Sequence, residues 1–449
     1  MTAVPAGSGQ LLTGWGRTSA SRATVLGPLD NEQIQGLVVS RPRGGVLARG
    51  AGRSYGDAAQ NAGGYVLAPA TMPFIELAAD AASVRVSASV SFAQVLATIV
   101  PRGRILPVLP GTADLTVGGA VAVDVHGKNQ RADGSISAWI EEIELIDGHG
   151  ELRSVTPGGD PDVFRATVGG MGFTGIIVAV TIRLLPIRSA LLRVTSQRLP
   201  DLDALLGALA DSRSRYAVAW VDTTASGRAL GRGILDEGDH LPEPDPAAEK
   251  NGLAYRPGRA RRAPAVPFCA VTPWSARGFN SLWFRKAAKF SSGVMGLPGY
   301  FHRLDAVAGW NRALGPRGFL QYQFVVPAGA ERTLAEVIEA VQRERCAPFL
   351  GTLKRFGIAG CGHLSFPMPG WSLAIDLPAG SPPLAALLDR MDAQVATAGG
   401  RVYLAKDARL RGAALRAMYG SLAEWQAVRE KLDPYGVFRS DLGRRVGLC

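Results

Sequence analysis

The stretch that decides the fold is Ala48–Asp57, ARGAGRSYGD, which contains a literal G-x-S-x-G centred on Ser54. Its first three residues end the segment GGVLARG, which is a plausible strand before the serine. Two functional interpretations compete for it. In the first, Ser54 is a hydrolase nucleophile, which requires a strand before the serine and a helix after it. In the second, successive small residues turn their N–H groups toward one point and bind an anion such as a diphosphate, with Arg49 or Arg53 adding charge.

The residues after Ser54 favour the anion-binding interpretation. The segment GDAAQNAGG shows no apolar helical period, and the five histidines show no acid and histidine partners in the chain order that such a hydrolase uses. A tight surface turn without a ligand remains a third interpretation of this segment taken alone.

Two further glycine-rich turns lie far along the chain from the first. One is formed by Leu109–Thr112 (LPGT) and Thr116–Ala120 (TVGGA), and the other, Gly170–Gly175 (GMGFTG), is a literal G-x-G-x-x-G. A dinucleotide fingerprint of that form needs a strand before it and a helix after it, whereas DVFRATV predicts a helix before and GIIVAVTIRLL a strand after. A Rossmann fold is therefore not predicted, but one long ligand lying along all three turns would explain them together.

Length and charge limit the class of protein. A chain of 449 residues predicts two or three domains. Lys plus Arg exceed Asp plus Glu by 49 to 38, and the net charge of +11 favours an anionic small molecule, an anionic lipid surface or nucleic acid. Nucleic acid is not predicted as a partner, because no run of five Lys or Arg and no basic stripe interleaved with aromatic residues occurs.

Neither a metal site nor a membrane anchor is expected. The four cysteines have no C-x-x-C spacing and no paired layout, so they predict neither a zinc site nor a disulfide framework. The longest apolar run, within Gly175–Leu185, is about half of a membrane span, and no charged region followed by an apolar run marks a Sec-type signal.

Apolar periodicity divides the chain into a β-rich first part, between residues 45 and 190, and an α+β middle. Strands are predicted at Ser83–Ser91, Ile140–Ile146, Gly175–Leu185, Tyr216–Thr224, Phe319–Val326 and Trp371–Leu377. Helices are predicted after the cap Asp201, along the face of Leu334, Val337, Ile338 and Val341, and from Leu384 to a stop at Gly399-Gly400. Asp236–Pro273, rich in proline and charge without periodicity, is predicted to be a mobile loop.

Four segments in order resemble the vanillyl-alcohol-oxidase and p-cresol-methylhydroxylase type of FAD enzymes. They are ARGAGRSYGDAAQN, LPGTADLTVGGAVAVDVHGKN, TVGGMGFTGIIVAVTI and KLDPYGVFRSDLGRR, and the likeness extends from Leu11–Thr18 to Ser440–Arg445. The resemblance implies an α+β fold of two domains. A discontinuous FAD-binding domain would comprise residues 8–189 and 401–449, and an inserted substrate domain, residues 190–400, would be built on an antiparallel sheet with helices.

The resemblance also implies which residues hold FAD. The first loop would wrap the pyrophosphate, and later segments would line and cover the remainder of the cofactor: Ala48, Arg49, Gly50, Ala51, Gly52, Arg53, Ser54, Tyr55, Gly56, Asp57, Gly111, Thr116, Val117, Gly118, Gly119, Val123, Asp124, Val125, His126, Ile177 and Tyr403. Relatives that bind FAD covalently often carry a histidine at about the position of Arg53. Arginine cannot form that bond, so we predict non-covalent FAD.

On the substrate side the resemblance implies positions spread over both halves of the chain: His126, Lys128, Trp220, Gln321, Gln323, Lys354, Ala374 and Lys406. Ala374 stands where relatives sensitive to covalent nitroaromatic inhibitors have cysteine, which puts that inhibition in doubt. Lys406 is the first candidate for the group that takes or holds the hydroxyl proton, with His126 second. A free lysine titrates near 10.4, so Lys406 can act as a base only if burial or nearby charge lowers its pKa, and otherwise it orients the hydroxyl or binds phosphate.

The reaction implied is hydride transfer to flavin N5 from the 2-hydroxyl carbon of decaprenylphosphoryl-β-D-ribose, giving the 2-keto sugar. This is the first half of an epimerisation that supplies arabinose for actinobacterial cell-wall arabinan. Implied partners are a separate NADH-dependent keto-reductase subunit, a quinone-like or other electron acceptor and a membrane surface, reached by the loop Asp236–Pro273 of a peripheral, envelope-associated protein. Two alternatives stay open: an oxidase of the same fold for a soluble alditol or aldonolactone, and a flavin-free serine hydrolase or anion-binding protein.

Overall fold

The computed structural model describes residues 7–242, 252–256, 260–263, 268–269 and 271–449. Its first part, up to residue 190, carries short strands: β1 Ser8–Thr13, β2 Ala20–Leu26, β3 Val46–Ala48, β4 Tyr65–Leu67, β5 Ile75–Leu77, β6 Ser83–Ser87, β7 Arg104–Ile105, β8 Ile140–Ile146, β9 Leu152–Val155, β10 Ile176–Arg183 and β11 Leu185–Pro186. Two main sheets result, in the orders β1-β2-β4-β3 and β5-β6-β10-β8-β9. The first mixes parallel and antiparallel pairs, and the second is antiparallel.

Short helices connect these strands: α1 Asn31–Val39, α2 Phe92–Ile99, α3 Val117–Ala122, α4 Gln130–Asp133 and α5 Pro161–Thr167. Side chains fix where they begin. Asp30 and Ser91 form capping boxes with Gln33 and Gln94, and the Thr116 hydroxyl accepts from the Gly119 N–H at the start of α3. Ser91 thereby starts a helix where sequence periodicity predicted the end of a strand.

The middle of the chain builds one large antiparallel sheet, in the order β16-β12-β14-β13-β19-β20-β18-β21. Its strands, with the small pair β15 and β17, are β12 Leu191–Leu199, β13 Tyr216–Val221, β14 Gly233–His240, β15 Arg261–Arg262, β16 Phe290–Gly296, β17 Val307–Ala308, β18 Phe319–Val326, β19 Leu350–Phe356, β20 Gly370–Pro378 and β21 Arg401–Val402. The remaining helices are α6 Leu202–Asp211, α7 Pro273–Lys286, α8 Leu297–Phe301, α9 Arg332–Arg343, α10 Pro382–Thr397, α11 Gly412–Met418, α12 Leu422–Leu432 and α13 Asp441–Val446.

The two faces of this middle sheet have opposite characters, because side chains alternate along each strand. Tyr322 and Phe324 of β18 and Leu373 and Ile375 of β20 belong to one core cluster with Val337 of α9. Leucines of α6 and α10 join the same cluster. The residues between them face the other way, are mostly polar apart from Ala374, and line the candidate site described below.

The sequence-based elements are largely confirmed. β8 and β18 have the predicted bounds, Asp201 accepts from the Ala204 N–H and caps α6, and Gly399 adopts a positive φ just after α10. The helix before Gly170 and the strand after Gly175 are α5 and β10, so the reversed order that excluded a Rossmann motif is correct. The four cysteines, all within the described ranges, are free thiols.

The prediction of a loop from Asp236 is wrong at its start. Residues 236–240 complete β14, which pairs with β12 on one side and β13 on the other. Two-sided backbone pairing stabilises a strand as polar as GILDEGDH, which local propensity disfavours. Arg261–Arg262 of the same stretch pairs in parallel with Val307–Ala308. Residues 243–251, 257–259, 264–267 and 270 of the predicted loop lie outside the described residues.

The chain returns to its first sheet at the end. Val46 forms a bridge with Phe438, and the Arg445 guanidinium binds both carboxylate oxygens of Asp57 at 2.7 and 2.9 Å. The predicted division at residues 189 and 400 stays a prediction, and β21 pairs with β18 of the middle sheet. Among the described helices, none has the length and apolar character needed to cross a bilayer.

Candidate active site

The first glycine loop presents unused N–H groups. Its ends are fixed, because the Arg49 N–H donates to the Leu67 carbonyl (2.8 Å) and the Tyr55 N–H donates to the Ala405 carbonyl (3.0 Å). Between them, no N–H of residues 50–54 has a partner within the described chain. Such a run of free N–H groups suits an anion as large as a diphosphate. No helix follows Ser54, so the hydrolase elbow is absent from this described segment.

Both arginines of this loop are engaged by the protein itself. The Arg49 guanidinium donates to the carbonyls of Ala59 (2.6 Å) and Thr13 (2.8 Å), and burial lowers its pKa. Arg53 pairs with Asp114 at 2.7 Å and lies 4.0 Å from the Trp15 ring. The loop therefore offers a bound anion chiefly backbone N–H groups rather than free positive charge.

The three glycine turns lie together. A Cβ on Gly50 would fall 2.1 Å from the Thr116 Oγ1, so the first turn is in contact with the second. The second turn leads into α3. The Val121 carbonyl of α3 accepts from the N–H of Gly169, just before the third turn (3.0 Å), and the Ala122 carbonyl accepts from the N–H of Met171 within that turn (2.8 Å). The three turns therefore border one region of the molecule, and a single long ligand lying along all of them stays a prediction.

Several of the predicted cofactor residues act within the protein. The N–H groups of Val117 and Gly118 donate to the carbonyls of Val90 and Ala88, so they are not free for a phosphate. Asp124, at a φ of +45°, accepts from the Ser135 hydroxyl (2.9 Å) and the Ser137 N–H (3.2 Å), and burial raises its pKa.

The other predicted cofactor residues differ in what surrounds them. A Cβ on Gly111 would meet nothing within 4 Å, whereas one on Gly56 would fall 2.1 Å from the Asp407 carbonyl oxygen. Ile177 is buried within β10, and Val125 is buried close to His126. Gly111 therefore borders open space, while Gly56 allows the close approach of the C-terminal segment to the first loop.

Five predicted substrate residues share the polar face of the middle sheet. Gln323, Ala374, Thr352 and Trp220 are successive cross-strand partners on β18, β20, β19 and β13. The next rows pair Gln321 with Asp376 and Ser372 with Lys354. Residues in register on neighbouring antiparallel strands point to the same side, so these polar groups face one space.

His126 lies beside this face. Its Nε2 is 3.0 Å from Gln323 Nε2, and its ring is surrounded by Phe356, Phe366 and Tyr403 with centroids 4.9 to 5.5 Å away. Burial, reinforced by Lys354 and Lys406, lowers its pKa well below the ordinary value, so the ring is neutral. When the Gln323 amide donates to Nε2, the hydrogen sits on Nδ1, which is buried and has no partner among the described residues.

Tyr403 connects this aromatic group to the end of α3. Its ring stacks on Phe366 with centroids 4.6 Å apart, and its hydroxyl donates to the Val123 carbonyl at 3.0 Å. The unpaired Nδ1–H of His126 and the free N–H groups of residues 50–54 are donors of the kind that a bound FAD would satisfy. The residues present therefore fit the cofactor that the sequence predicted.

Lys406 is half-buried and lies next to the buried carboxylate of Asp376. Its Nζ lies 3.8 Å from the centroid of the Tyr55 ring, and burial lowers its pKa, as does the nearby Lys354. The carboxylate of Asp376 opposes that shift. Asp376 accepts from Gln321 Nε2 at 2.7 Å, its second oxygen is buried without a partner, and burial raises its own pKa.

Lys128 and Lys354 supply two further cations. Lys128 donates to the Tyr300 carbonyl at 2.5 Å, and burial with nearby Arg303 lowers its pKa to about 7. Lys354 has no hydrogen bond or ion pair within the described ranges, and burial lowers its pKa to about 8. An anionic ligand held between them would raise both pKa values and keep both lysines charged.

Sequence reasoning missed two site residues. Asp376 follows Ala374 by two positions in a predicted strand, so alternation alone would have placed it on the same face. His302, next to α8, is buried with neither ring nitrogen bonded to a described residue, and burial with Lys128 nearby lowers its pKa to about 4. No sequence signal distinguished His302.

The sequence matches two family models and several known oxidases. A family model described as an FAD binding domain matches residues 23–156, and one described as D-arabinono-1,4-lactone oxidase matches residues 376–446. Decaprenylphosphoryl-beta-D-ribose oxidase from Mycolicibacterium smegmatis is 38% identical over 451 residues, covering 97% of each chain. An alditol oxidase from a Streptomyces species is 24% identical over 95% of this chain and 96% of its own.

Proposed function

The chain belongs to the decaprenylphosphoryl-β-D-ribose oxidase family of FAD-dependent oxidoreductases, and on that premise we propose that it oxidises the 2-hydroxyl of decaprenylphosphoryl-β-D-ribose to a ketone. This step is the first half of an epimerisation that yields the arabinose donor for cell-wall arabinan. The observation that carries the proposal is one polar sheet face bearing Gln321, Gln323, Lys354 and Asp376 opposite Lys406 and His126.

The chain's own residues would hold FAD at two places. The free N–H groups of residues 50–54 would bind the diphosphate, and His126 with Tyr403 would lie at the reacting end. Bound flavin supplies the acceptor for a hydride from the carbinol carbon. Arg53 stays in its ion pair with Asp114, which supports non-covalent binding.

Lys406 is the residue we assign to the hydroxyl proton. Oxidation of an alcohol requires a group within about 3 Å of the hydroxyl oxygen that accepts or holds its proton. Burial and Lys354 favour the neutral amine of Lys406, which has a free lone pair for that proton. His126 suits this role less well, because its Nε2 already accepts from Gln323 and its Nδ1 carries the hydrogen. His126 would instead orient a bound group by donating a hydrogen bond from its Nδ1–H.

Lys354 and Lys128 would bind the phosphate of the substrate. Cations withdrawn from water are costly unless an opposite charge neutralises them. Lys354 has no carboxylate partner among the described residues, and Asp236 offsets the lowered pKa of Lys128 only in part. A neutral polyol or lactone offers no such charge, so this pair favours a lipid phosphate over the soluble alditol or aldonolactone that a same-fold oxidase would use.

The wider assignment follows from the substrate. A polyprenyl chain places the reaction at a lipid surface, so we propose a peripheral, envelope-associated enzyme, and the net charge of +11 supports contact with anionic lipid. The ketone requires a separate NADH-dependent reductase to complete the epimerisation. The reduced cofactor requires a quinone-like or other electron acceptor.

Anaerobic reduction of the flavin tests the function. The purified enzyme is mixed with a short-chain prenylphosphoryl-β-D-ribose, its arabinose epimer, ribose 5-phosphate, xylitol and D-arabinono-1,4-lactone. We expect rapid bleaching of the flavin absorbance with the prenylphosphoryl ribose and formation of its 2-keto product. An equal or greater second-order rate constant of flavin reduction by xylitol or the lactone would contradict the proposal and favour the soluble-substrate oxidase.

A further inference from the structure

The helix α7 turns its large apolar side chains toward solvent. Trp274, Phe279, Leu282 and Trp283 are 83%, 60%, 54% and 49% exposed, and the rings of Phe279 and Trp283 stack with centroids 6.2 Å apart. Their spacing puts them on one side of the helix. A surface helix of a soluble protein normally shows the reverse arrangement, with apolar residues inward.

The inner side of α7 is held by contacts that leave this orientation fixed. Ala276 and Asn280 are buried, and the guanidinium carbons of Arg232 and Arg198 lie 4.4 and 5.2 Å from the centroid of the Phe284 ring. Arg198 also donates to the carbonyls of Phe284, Arg285 and Ala287 at the end of the helix. The outward aromatic side is therefore a built feature of the fold.

The edge strand β16 extends the same surface. Phe290, which is 63% exposed, pairs with Gln197 one residue before Arg198, so it lies beside the end of α7. The sheet order places β16 at the edge, with β12 as its neighbour. We define the docking face as Trp274, Phe279, Leu282, Trp283 and Phe290, together with the exposed basic residues Arg277, Arg285, Lys286 and Lys289.

The chain segment that carries this face has basic residues and no acidic ones, although its Arg303 pairs with Asp236 of β14 at 2.9 Å. The sequence from residue 251 to 304 contains no Asp or Glu and carries nine basic residues: Arg256, Arg259, Arg261, Arg262, Arg277, Arg285, Lys286, Lys289 and Arg303. An aromatic face ringed by Lys and Arg is typical of a helix that lies in the plane of an anionic bilayer. At 14 residues, α7 is suited to that position rather than to crossing the bilayer.

We propose that the docking face binds the enzyme to the surface of an anionic lipid bilayer, with α7 embedded at the depth of the headgroups. A second copy of this chain is a poorer occupant, because two such faces would bring like charges together. The purpose of the contact rests on the proposed function, since a prenyl tail must leave the active site toward lipid.

The connection to the active site supports this orientation. The chain runs from β16 directly into α8, whose Tyr300 carbonyl accepts from Lys128. Farther on, the Asp305 carboxylate accepts from the Ala113 N–H of the second glycine turn at 2.8 Å. The segment that carries the docking face therefore also borders the Lys128 end of the site, where we place the lipid phosphate.

Vesicle sedimentation of the FAD-loaded full chain tests the proposal. Vesicles of phosphatidylcholine mixed with phosphatidylglycerol are compared with vesicles of pure phosphatidylcholine. We expect binding to the anionic vesicles that weakens with salt, and blue-shifted tryptophan emission on binding. The variant Trp274→Ser/Phe279→Ser/Trp283→Ser should bind at least about tenfold more weakly. The variant Arg285→Gln/Lys286→Gln/Lys289→Gln should lose about fivefold for each residue.

Matched variants control for apolar surface and for charge. Leu11→Ser/Met72→Ser/Leu152→Ser removes exposed apolar side chains elsewhere, and Arg332→Gln/Arg343→Gln/Arg390→Gln removes the same formal charge from α9 and α10. Both should bind vesicles more tightly than the docking-face variants do. The proposal would be overturned if the wild-type protein did not bind anionic vesicles, or if the docking-face variants bound these vesicles as tightly as the wild type. It would also be overturned by lipid-free dimers that the aromatic variant abolishes, which would identify a second copy as the occupant.

Turnover separates this inference from the proposed function. In detergent, with a short-chain prenylphosphoryl ribose, the docking-face variants should keep the wild-type rate, because none of the changed residues belongs to the proposed site. Wild-type enzyme that turns over its substrate but does not bind vesicles would contradict the docking face and leave the proposed function intact. Wild-type enzyme that binds vesicles but does not oxidise the prenylphosphoryl ribose would contradict the proposed function and leave the docking face intact.

Discussion

Lys406 is the residue on which the proposed chemistry most depends. Replacing it with methionine keeps the volume of the side chain but removes the amine, so we expect flavin reduction by substrate to slow by about 100-fold to 10,000-fold. The rate constant is measured by anaerobic stopped-flow absorbance. Lys431→Met, at the exposed end of α12, is the matched control and should reduce flavin normally. A normal rate in the Lys406 variant would exclude the role.

The environment of Lys406 predicts opposite shifts in the pH profile from two substitutions. The neutral amine is the active form, so reduction should quicken as pH rises and level off well below the pKa of a free lysine, because burial lowers the pKa of Lys406. Asp376 raises that pKa by stabilising the charged form. Asp376→Asn should therefore move the inflection to lower pH.

Lys354 acts on the same pKa with the opposite sign. Its charge disfavours the protonated form of Lys406, so Lys354→Met should move the inflection of the reduction rate to higher pH. Both profiles are recorded as reduction rate against pH at saturating substrate. Shifts of the same sign in the two variants would show that the Lys406 ammonium does not control the rate.

Arg53 predicts how FAD is held. Its guanidinium is engaged by Asp114 and covers Trp15, and an arginine side chain has no nucleophilic nitrogen available for a bond to the flavin. Acid precipitation should therefore release all of the flavin into the supernatant and leave a colourless pellet. Flavin retained by the precipitated chain would contradict non-covalent binding.

For single residues, the sequence indicated which side chains belong to the candidate site better than it indicated which groups those side chains contact. Lys406, Gln323 and Ala374 were assigned from the resemblance, and the structure places them around one space. The roles of Asp57 and Asp124 were not predictable, because their carboxylates bind Arg445 and Ser135, contacts that only the tertiary structure creates. Asp376 was predictable from strand alternation.

Among the elements, the first glycine loop leads to the most direct prediction, which concerns FAD affinity. A Cβ on Gly50 would meet the Thr116 Oγ1 at 2.1 Å, so Gly50→Ala must displace either the loop or the cap of α3. Displaced N–H groups no longer converge on one anion, and FAD affinity should fall at least about tenfold, by the loss of about one charge-assisted hydrogen bond. Titration of the apoprotein with FAD measures it. Gly158→Ala, whose Cβ meets nothing within 4 Å, should bind FAD normally.

Elements with strong local signals were predictable, and those stabilised by neighbours were not. β18 and α6 carry regular apolar periods, and Asp201 supplies a cap that local sequence reveals. β14 has weak strand propensity over Asp236–His240, and its hydrogen bonds come from strands on both sides. Such a strand is stabilised by partners elsewhere in the sheet. Local sequence analysis does not detect those partners, so it assigned the segment to a loop.

For the whole molecule, Arg445 joins parts that are far apart in sequence. Its guanidinium binds Asp57 of the first loop and Asp407 of the segment after Tyr403, at 2.7 and 2.9 Å, and both carboxylates are largely buried. Arg445→Met would leave two buried carboxylates without their cation. We expect the free energy of unfolding to fall by about 3 kcal/mol.

Urea unfolding of the apoprotein, followed by tryptophan fluorescence, measures this change. Arg390→Met breaks an exposed pair with Glu344 and should cost less than about 1 kcal/mol. Equal losses in the two variants would argue that the Arg445 network is no more than a surface ion pair. The Arg445 variant should also bind FAD more weakly, since Asp57 ends the loop that presents the free N–H groups.

The long-range closure was beyond local sequence analysis. The resemblance implied a C-terminal segment returning to the cofactor, but the contact between residues 57 and 445 spans 388 positions. Neither apolar periodicity nor a helix cap indicates that two residues so far apart in sequence form an ion pair.

That closure has a consequence for how the protein is made. While a ribosome is still translating the middle of the gene, Asp57 has emerged and Arg445 has not yet been synthesised, so the nascent loop lacks its final clamp. Cofactor loading should then be a post-translational event. Stalled nascent chains that end before Arg445 should capture FAD poorly, and release of the finished polypeptide should restore it.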